Sequence, residues 1–289
     1  MEERSVLNIA VIGGDLRQRL VADELKKCGY RVSEYAIDGD ITQTELSFAV
    51  ENADVAVLPL PASRDGFYVN AQSDIRFETM VDCLKRGCKI FAGRLQPSLK
   101  DLLLKRGFEL FDFYEDELFE RENTEISADG AIEYLLSLFD GNIAGKHVLV
   151  CGYGHFGASI CHKLKALSAS VTVAARRDES LETARQNGIS ALKIDLTKKG
   201  FFSVPKDVCA VLNTVPYHIF TEENTATLEG KIYLELASAP FGGDMARLKE
   251  VSSYSYLPSI PAKYAPHRAG KAIFASLLRY IDRGFFDGK

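Results

Sequence analysis

The stretch KHVLVCGYGHFG, residues 146–157, constrains the fold more than any other part of this chain. A β-branched run over 147–151 reads as a buried strand. It leads into Gly152, Gly154 and Gly157, which stand in G-x-G-x-x-G spacing. A helix is expected over 156–167 and a second strand over 171–175. In that setting each glycine has a physical task. Gly152 permits the tight turn, Gly154 lets the backbone approach a pyrophosphate, and Gly157 lets the helix pack closely on the strand. The exposed N–H groups of the turn, His155 and Phe156 included, and the positive end of the helix then attract phosphate. The segment predicts a dinucleotide-binding unit.

Short β-branched runs alternate with amphipathic stretches along the whole chain, the pattern of parallel sheets covered by helices on both faces. Strands are expected over 7–12, 31–35, 54–58, 88–92 and 108–111, with helices over 15–28 and 73–86. A long helix is expected over 123–139, where Ile126, Ala131, Ile132, Leu135, Leu136 and Phe139 recur at helical spacing. Beyond the glycine motif come a helix over 178–187, strands over 191–194, 210–213, 232–236 and 254–257, and a last helix over 268–283. The expected fold class is α/β, with two doubly wound parallel-sheet lobes. A flavodoxin- or Rossmann-like lobe spans 1–122, a linking helix 123–140 and an NAD(P)-binding Rossmann domain 141–265. The C-terminal helix within 266–289 returns to the first lobe.

The end of the motif's second strand separates the two nicotinamide nucleotides. An enzyme for NAD usually carries Asp or Glu there, accepting hydrogen bonds from ribose hydroxyls. Here the sequence reads VTVAARRDES. Ala175 occupies the acidic position and Arg176 and Arg177 follow, with Ser180 as a further donor. A guanidinium binds a 2′-phosphate bidentately where a carboxylate would repel it. The expectation is NADP(H), with Arg176 ahead of Arg177.

Other strand ends are expected on the same rim, since ligands of such sheets lie beyond the carboxyl ends of the strands. LNTVP offers Asn213, Thr214, Val215 and Pro216, and ELASAPFGGD offers Ser238. In the first lobe, Gly13 and Gly14 precede Asp15 at a helix N-cap and Arg17 in the first turn, a setting that attracts an anionic group. Ser63 sits in the strand-end turn LPLPAS. His267 and Arg268 lie in SIPAKYAPHRAG, ahead of the last helix. A histidine's ordinary pKa suits proton transfer near neutrality, so His267 is a candidate base.

Net charge is -5, which disfavours nucleic acid as a partner. No apolar run reaches the ~18 residues of a membrane span. The acidic start, MEERSVLNIAVIGG, does not read as a secretory signal, so a cytoplasmic location is expected. The six cysteines have no zinc spacing and read as small core residues, and no metal is expected.

Taken together, IAVIGGDLRQ, LPLPAS, NTEISADGAI, VLVCGYGHFG, VTVAARR, LNTVP, ELASAPFGGD and PSIPAKYAPHRAG occur in an order that resembles the A-subunit family of dipicolinate synthase, found in spore-forming bacteria. The resemblance covers nearly the whole chain. It implies NADP-dependent oxidation of a dihydrodipicolinate-type dicarboxylate to pyridine-2,6-dicarboxylate in the mother cell during sporulation. It also implies a second, flavoprotein-like component, the B-subunit of dipicolinate synthase. It puts Arg17, Ser63, Ser127, Gly130, Ser238 and Arg268 on segments expected to bind substrate, and Asp129 beside His267 as a candidate catalytic residue. Departures cluster near the implied pocket. Ser259 and Ala262 replace glycines, Arg268 a Thr, Glu235 an Asp, Phe241 a Gly and Asp129 a Glu. Two alternatives remain. One is another two-lobed NADP dehydrogenase, of the shikimate or methylenetetrahydrofolate type, although no Lys–Asp pair of the shikimate kind is apparent in the first lobe. The other is a non-catalytic NADP-binding component of a two-subunit complex. A homodimer through the aromatic tail, Tyr280, Phe285 and Phe286, is also considered.

Overall fold

The computed structural model describes residues 6–38, 45–195 and 202–282. Two compact units divide the chain: Met1–Asn123 with Pro261–Lys289, and Thr124–Ile260. Each is built from strand–helix alternation around a parallel sheet.

In the first unit the elements are β1 (Asn8–Ile12), α1 (Leu16–Lys27), β2 (Arg31–Tyr35), α2 (Leu46–Val50), β3 (Val55–Val57), α3 (Phe77–Cys83), β4 (Lys89–Ala92), α4 (Pro97–Lys105) and β5 (Glu109–Asp112). The strand order is β2-β1-β3-β4-β5, the doubly wound order of flavodoxin-like sheets. Alternate residues of a strand face opposite sides. Accordingly Ala10, Ile12, Ala56 and Ile90 pack with Val50, Met80 and Leu103 from α2, α3 and α4. The other side of the sheet is covered by the end of the chain. Tyr280, on the last helix, packs on Phe91 and Phe111, with ring centroids 5.8 and 4.9 Å away.

A 21-residue helix, α5 (Glu117–Ser137), begins six residues earlier than the periodicity suggested. The second unit continues with β6 (His147–Cys151), α6 (His155–Ala166), β7 (Ser170–Ala175), α7 (Asp178–Gln186), β8 (Ser190–Lys193), β9 (Val208–Asn213), β10 (Ile232–Glu235), α8 (Met245–Val251) and β11 (Ser253–Tyr256). Its order, β11-β10-β9-β6-β7-β8, is the 3-2-1-4-5-6 order of a dinucleotide-binding sheet. The order reverses between β6 and β9, so a crevice opens at their carboxyl ends, where Gly152 and Asn213 stand. Leu149, Val211 and Tyr233 pack there against Phe220, Leu228 and Leu248.

The chain then returns through α9 (Ile260–Tyr264) and α10 (Pro266–Asp282). The close approach of α10 to α1 depends on Gly270. A Cβ there would meet Leu20 Cβ at 2.9 Å and the Arg17 carbonyl at 3.0 Å. Asp116 binds Ser276 at 2.6 Å and Arg279 at 2.5 Å, fixing the far end of the helix. Tyr280 is therefore part of the first unit's core; Phe285 and Phe286 lie outside the described residues. Among the expected elements, the helix over 73–86 shrinks to α3. Residues 73–76 instead fold back on 67–69, with Val69 N–H donating to the Ile75 carbonyl.

Candidate functional site

Cys151 ends β6, and Gly152 turns the chain at φ 97°, a left-handed value that glycine adopts without strain. Added Cβ atoms show what each motif glycine is for. On Gly152 the Cβ would sit 2.5 Å from Thr214 Oγ1 and 2.8 Å from Val215 Cγ2, so the turn nests against the end of β9. On Gly157 it would strike the Gly152 carbonyl, which is the close helix–strand packing expected of the third glycine. On Gly154 it would meet nothing within 4 Å. The protein's own packing thus does not require glycine at 154, and the space above it is open to a ligand.

Gly154 N-caps α6 without a side-chain hydrogen bond, and the first turn of that helix has no acidic residue. The N–H groups and the positive helix end therefore face the open space with no carboxylate of their own. A hollow of about 470 Å³ adjoins them. Tyr153, Gly154 and His155 line it from the turn, and Arg177, Glu179 and Ser180 from the start of α7. Tyr153 accepts a hydrogen bond from Asn187 Nδ2 at 3.3 Å, and burial pushes its phenol above the usual pKa. Arg176, preferred on the sequence, is exposed and is not part of this lining, whereas Arg177 is. The shape and donors fit a dinucleotide phosphate on the turn and a further anion beside Arg177.

The strand-end turn at 213–216 is held from within. Asn213 is fully buried. Its Nδ2 donates to Glu235 Oε1 at 2.7 Å and to the Val215 carbonyl at 3.0 Å, and its Oδ1 accepts from Val215 N–H at 3.1 Å. Thr214 Oγ1 donates to the Cys151 carbonyl at 2.8 Å, tying this turn to the glycine turn. Asn213 and Thr214 therefore shape the rim, while Pro216 is exposed on it.

Glu235 is the residue that sequence reasoning missed as a builder of this rim. It is fully buried at the end of β10 and accepts four hydrogen bonds. The donors are Asn213 Nδ2, Tyr233 OH at 3.1 Å, Ala237 N–H at 3.1 Å and Gly242 N–H at 2.8 Å. Burial pushes its pKa above the usual carboxylate value, against the pull of those donors. A buried Glu at a strand end, followed by a glycine pair, was the available signal. Ser238 is exposed on the loop that Glu235 holds.

Asp129 and Gly130 lie on α5, within the second unit. Lys163 of α6 bridges Asp129 at 2.7 Å and Glu125 at 2.9 Å, so Asp129 takes part in a helix-to-helix ion pair. Ser127 is half-buried on the same helix.

In the first unit the expected anion site at Arg17 is filled from within. Both oxygens of Asp15 accept from Arg17, at 2.9 Å each, and Arg17 Nη2 also donates to the Leu60 carbonyl at 2.8 Å. Burial disfavours the Asp15 charge, but Arg17 beside it holds the carboxyl below the usual range. A helix start already capped by its own carboxylate does not call for an external anion. Ser63 is similarly committed, donating to Asp65 Oδ1 at 3.2 Å and accepting from Gly66 N–H at 3.0 Å. His267 and Arg268 are exposed in the first turn of α10, which starts at Pro266, two residues before its expected start. No cluster of three or more metal-ligating side chains occurs among the described residues. No helix among them is long and apolar enough to cross a membrane.

Residues 8–114 match the family model of the N-terminal domain of the dipicolinate synthase A-subunit, and residues 148–203 that of the TrkA-N domain. Among solved structures, the A chain of dipicolinate synthase from Bacillus subtilis is similar with a TM-score of 0.82 and 23% identity, covering 98% of each chain. The dipicolinate synthase A-subunit from Bacillus halodurans gives 0.80 and 23%, over 95% of this chain and 97% of that one. A transhydrogenase from Sinorhizobium meliloti gives 0.63 and 13%, over 96% and 93%. No curated protein matches the chain at comparable stringency. The resemblance read from the motifs thus holds, and the chain has the two-sheet architecture of the dipicolinate synthase A-subunit from end to end.

Proposed function

We propose, from this resemblance to the dipicolinate synthase A-subunit, that the chain binds NADP(H) on the Gly152–Gly157 turn. There it would oxidise a dihydrodipicolinate-type ring to the aromatic dicarboxylate during sporulation. The observation that carries the cofactor part is the open space above Gly154, bounded on one side by an uncapped helix start and on the other by Arg177. When bound, the nicotinamide supplies the acceptor for an electron pair and one ring hydrogen; the second hydrogen leaves as a proton. The chain's part is to hold phosphate on the turn's N–H groups, to bind the 2′-phosphate through Arg177 with Arg176 nearby in sequence, and to orient the ring. Aromatisation favours the oxidation, so positioning outweighs any strong acid–base demand on the protein.

Of the two residues considered for accepting the proton, Asp129 is engaged by Lys163. His267, exposed at the start of α10, is therefore the better candidate. Ser127, Gly130, Ser238 and Arg268 remain proposed contacts for the substrate carboxylates. The naming of the similar proteins as one of two kinds of subunit suggests a second component for this chain too.

Titration of the purified chain with NADPH and NADH tests the cofactor part. Tighter binding of NADPH, lost by about ten-fold or more in Arg177→Ala while NADH affinity is little changed, is the expected result; a guanidinium–phosphate pair contributes about 1.5–3 kcal/mol. An Arg177→Ala protein with unchanged NADPH affinity removes the 2′-phosphate assignment. Oxidation of dihydrodipicolinate, assayed with and without the second component, then tests the reaction. Nucleotide binding without turnover in either case favours the reading as a non-catalytic nucleotide-binding protein.

A further inference from the structure

The end of β7 carries no acidic residue, so the strand itself offers no carboxylate to the ribose of NADH. The structure supplies one from the next element. The first turn of α7 holds two, Asp178 and Glu179. Asp178 is paired with Lys193 of the neighbouring strand β8, at 2.6 Å. Glu179 has no ion pair among the described residues and lines the hollow together with Arg177 and Ser180. A helix N-terminus tolerates any carboxylate, so the place of Glu179 on α7 decides nothing by itself. Its surroundings do. One cation and one anion without salt-bridge partners among the described residues face the same space, next to a glycine that leaves room for a ligand.

On the nucleotide reading above, we infer that Glu179 is a second specificity-determining residue of the same site and acts against Arg177. A 2′-phosphate carries nearly two negative charges near neutrality. Glu179 repels it and offsets part of the attraction of Arg177. An unphosphorylated ribose presents hydroxyl donors instead, and Glu179 accepts from them as the strand-end acid of an NAD site does. The two residues together make the site take both nucleotides, with a preference for NADPH smaller than the Arg-Arg sequence suggests.

The test is calorimetric titration of full-length wild type, Glu179→Gln and Arg177→Ala with NADPH and with NADH. Glu179→Gln is nearly isosteric at an exposed position, and its thermal midpoint checks that folding is intact. The expected result is about five-fold tighter NADPH binding, the effect of removing one exposed like charge near a phosphate. NADH binding weakens about two-fold, and the gain for NADPH shrinks in about 1 M salt, where screening reaches a few ångström. If Glu179→Gln leaves the ratio of the two affinities unchanged while Arg177→Ala lowers it, Glu179 has no part in selectivity and the nucleotide reading stands. If both nucleotides tighten equally, Glu179 acts on the shared pyrophosphate, which also overturns the inference. A wild type that binds neither nucleotide overturns both.

Discussion

At the scale of single residues, the three motif glycines have separable physical roles. Gly157 is required by the fold, because a methyl group there meets the backbone carbonyl of Gly152, which cannot move without distorting β6. Gly154 is required only by whatever lies above it. Gly157→Ala should therefore cost about 1–3 kcal/mol, the range for overpacking a close contact, and lower the urea midpoint. Gly154→Ala should leave stability within about 0.5 kcal/mol of the wild type yet weaken nucleotide binding. Equal losses of stability in both variants would show that the turn is a structural bend with no bearing on a ligand. The spacing alone does not reveal this division, because it depends on which atoms stand within a methyl's reach of each Cα.

At the scale of elements, the strands and longer helices follow from patterns that lie within a few residues of each other. The runs over 147–151 and 171–175 alternate with turn glycines, and β6 and β7 form where those runs stand. Short helices were less legible. The helix α4 starts with Pro97 at its first position and buries only Leu99 and Leu103, too few to mark a period. Least legible were the pairings that join distant segments. Arg17 looks like an anion ligand until Asp15 and the Leu60 carbonyl are seen to hold it. Arg176 and Arg177 are indistinguishable until the β7–α7 turn aims one of them into the hollow. Glu235 depends on Asn213 and Gly242 closing around it. That last network carries a prediction with a sign. Burial raises the Glu235 pKa above its unfolded value. Its contribution to stability is then fully present below the unfolded pKa, near 4.5, and is lost as pH rises through the folded one. Glu235→Gln keeps one carbonyl acceptor but leaves buried donors short of a partner, at a cost of about 1–3 kcal/mol. The stability difference between wild type and this variant, from urea unfolding, should be larger near pH 5 than near pH 7; a difference that grows with pH would mean that the carboxylate is held charged.

At the scale of the whole molecule, each unit has its own core. Tyr280 closes the first one against Phe91 and Phe111 and is 1% exposed. Tyr280→Ala should cost about 3–5 kcal/mol in that unit. Hydrogen exchange should show the loss in residues 6–123 and 261–282, while NADPH still protects the segment 147–180. Loss of nucleotide protection in the same variant would show that the second unit depends on the first for its binding-competent state.

The path of the chain through these units also bears on how a ribosome delivers them. The second unit is one unbroken run, 124–260, whereas the first is completed only by the run that follows it. As the polypeptide emerges, β1 to β5 are available early, but α10, whose Gly270 seats on α1, comes last. At about 5–20 residues per second, the first sheet waits on the order of ten seconds with one face bare. The nucleotide-binding unit meets no such delay. The vulnerable species during synthesis is thus a half-dressed first unit tethered to a finished second one, and holdase chaperones should engage the nascent chain there before Tyr280 arrives to cover it.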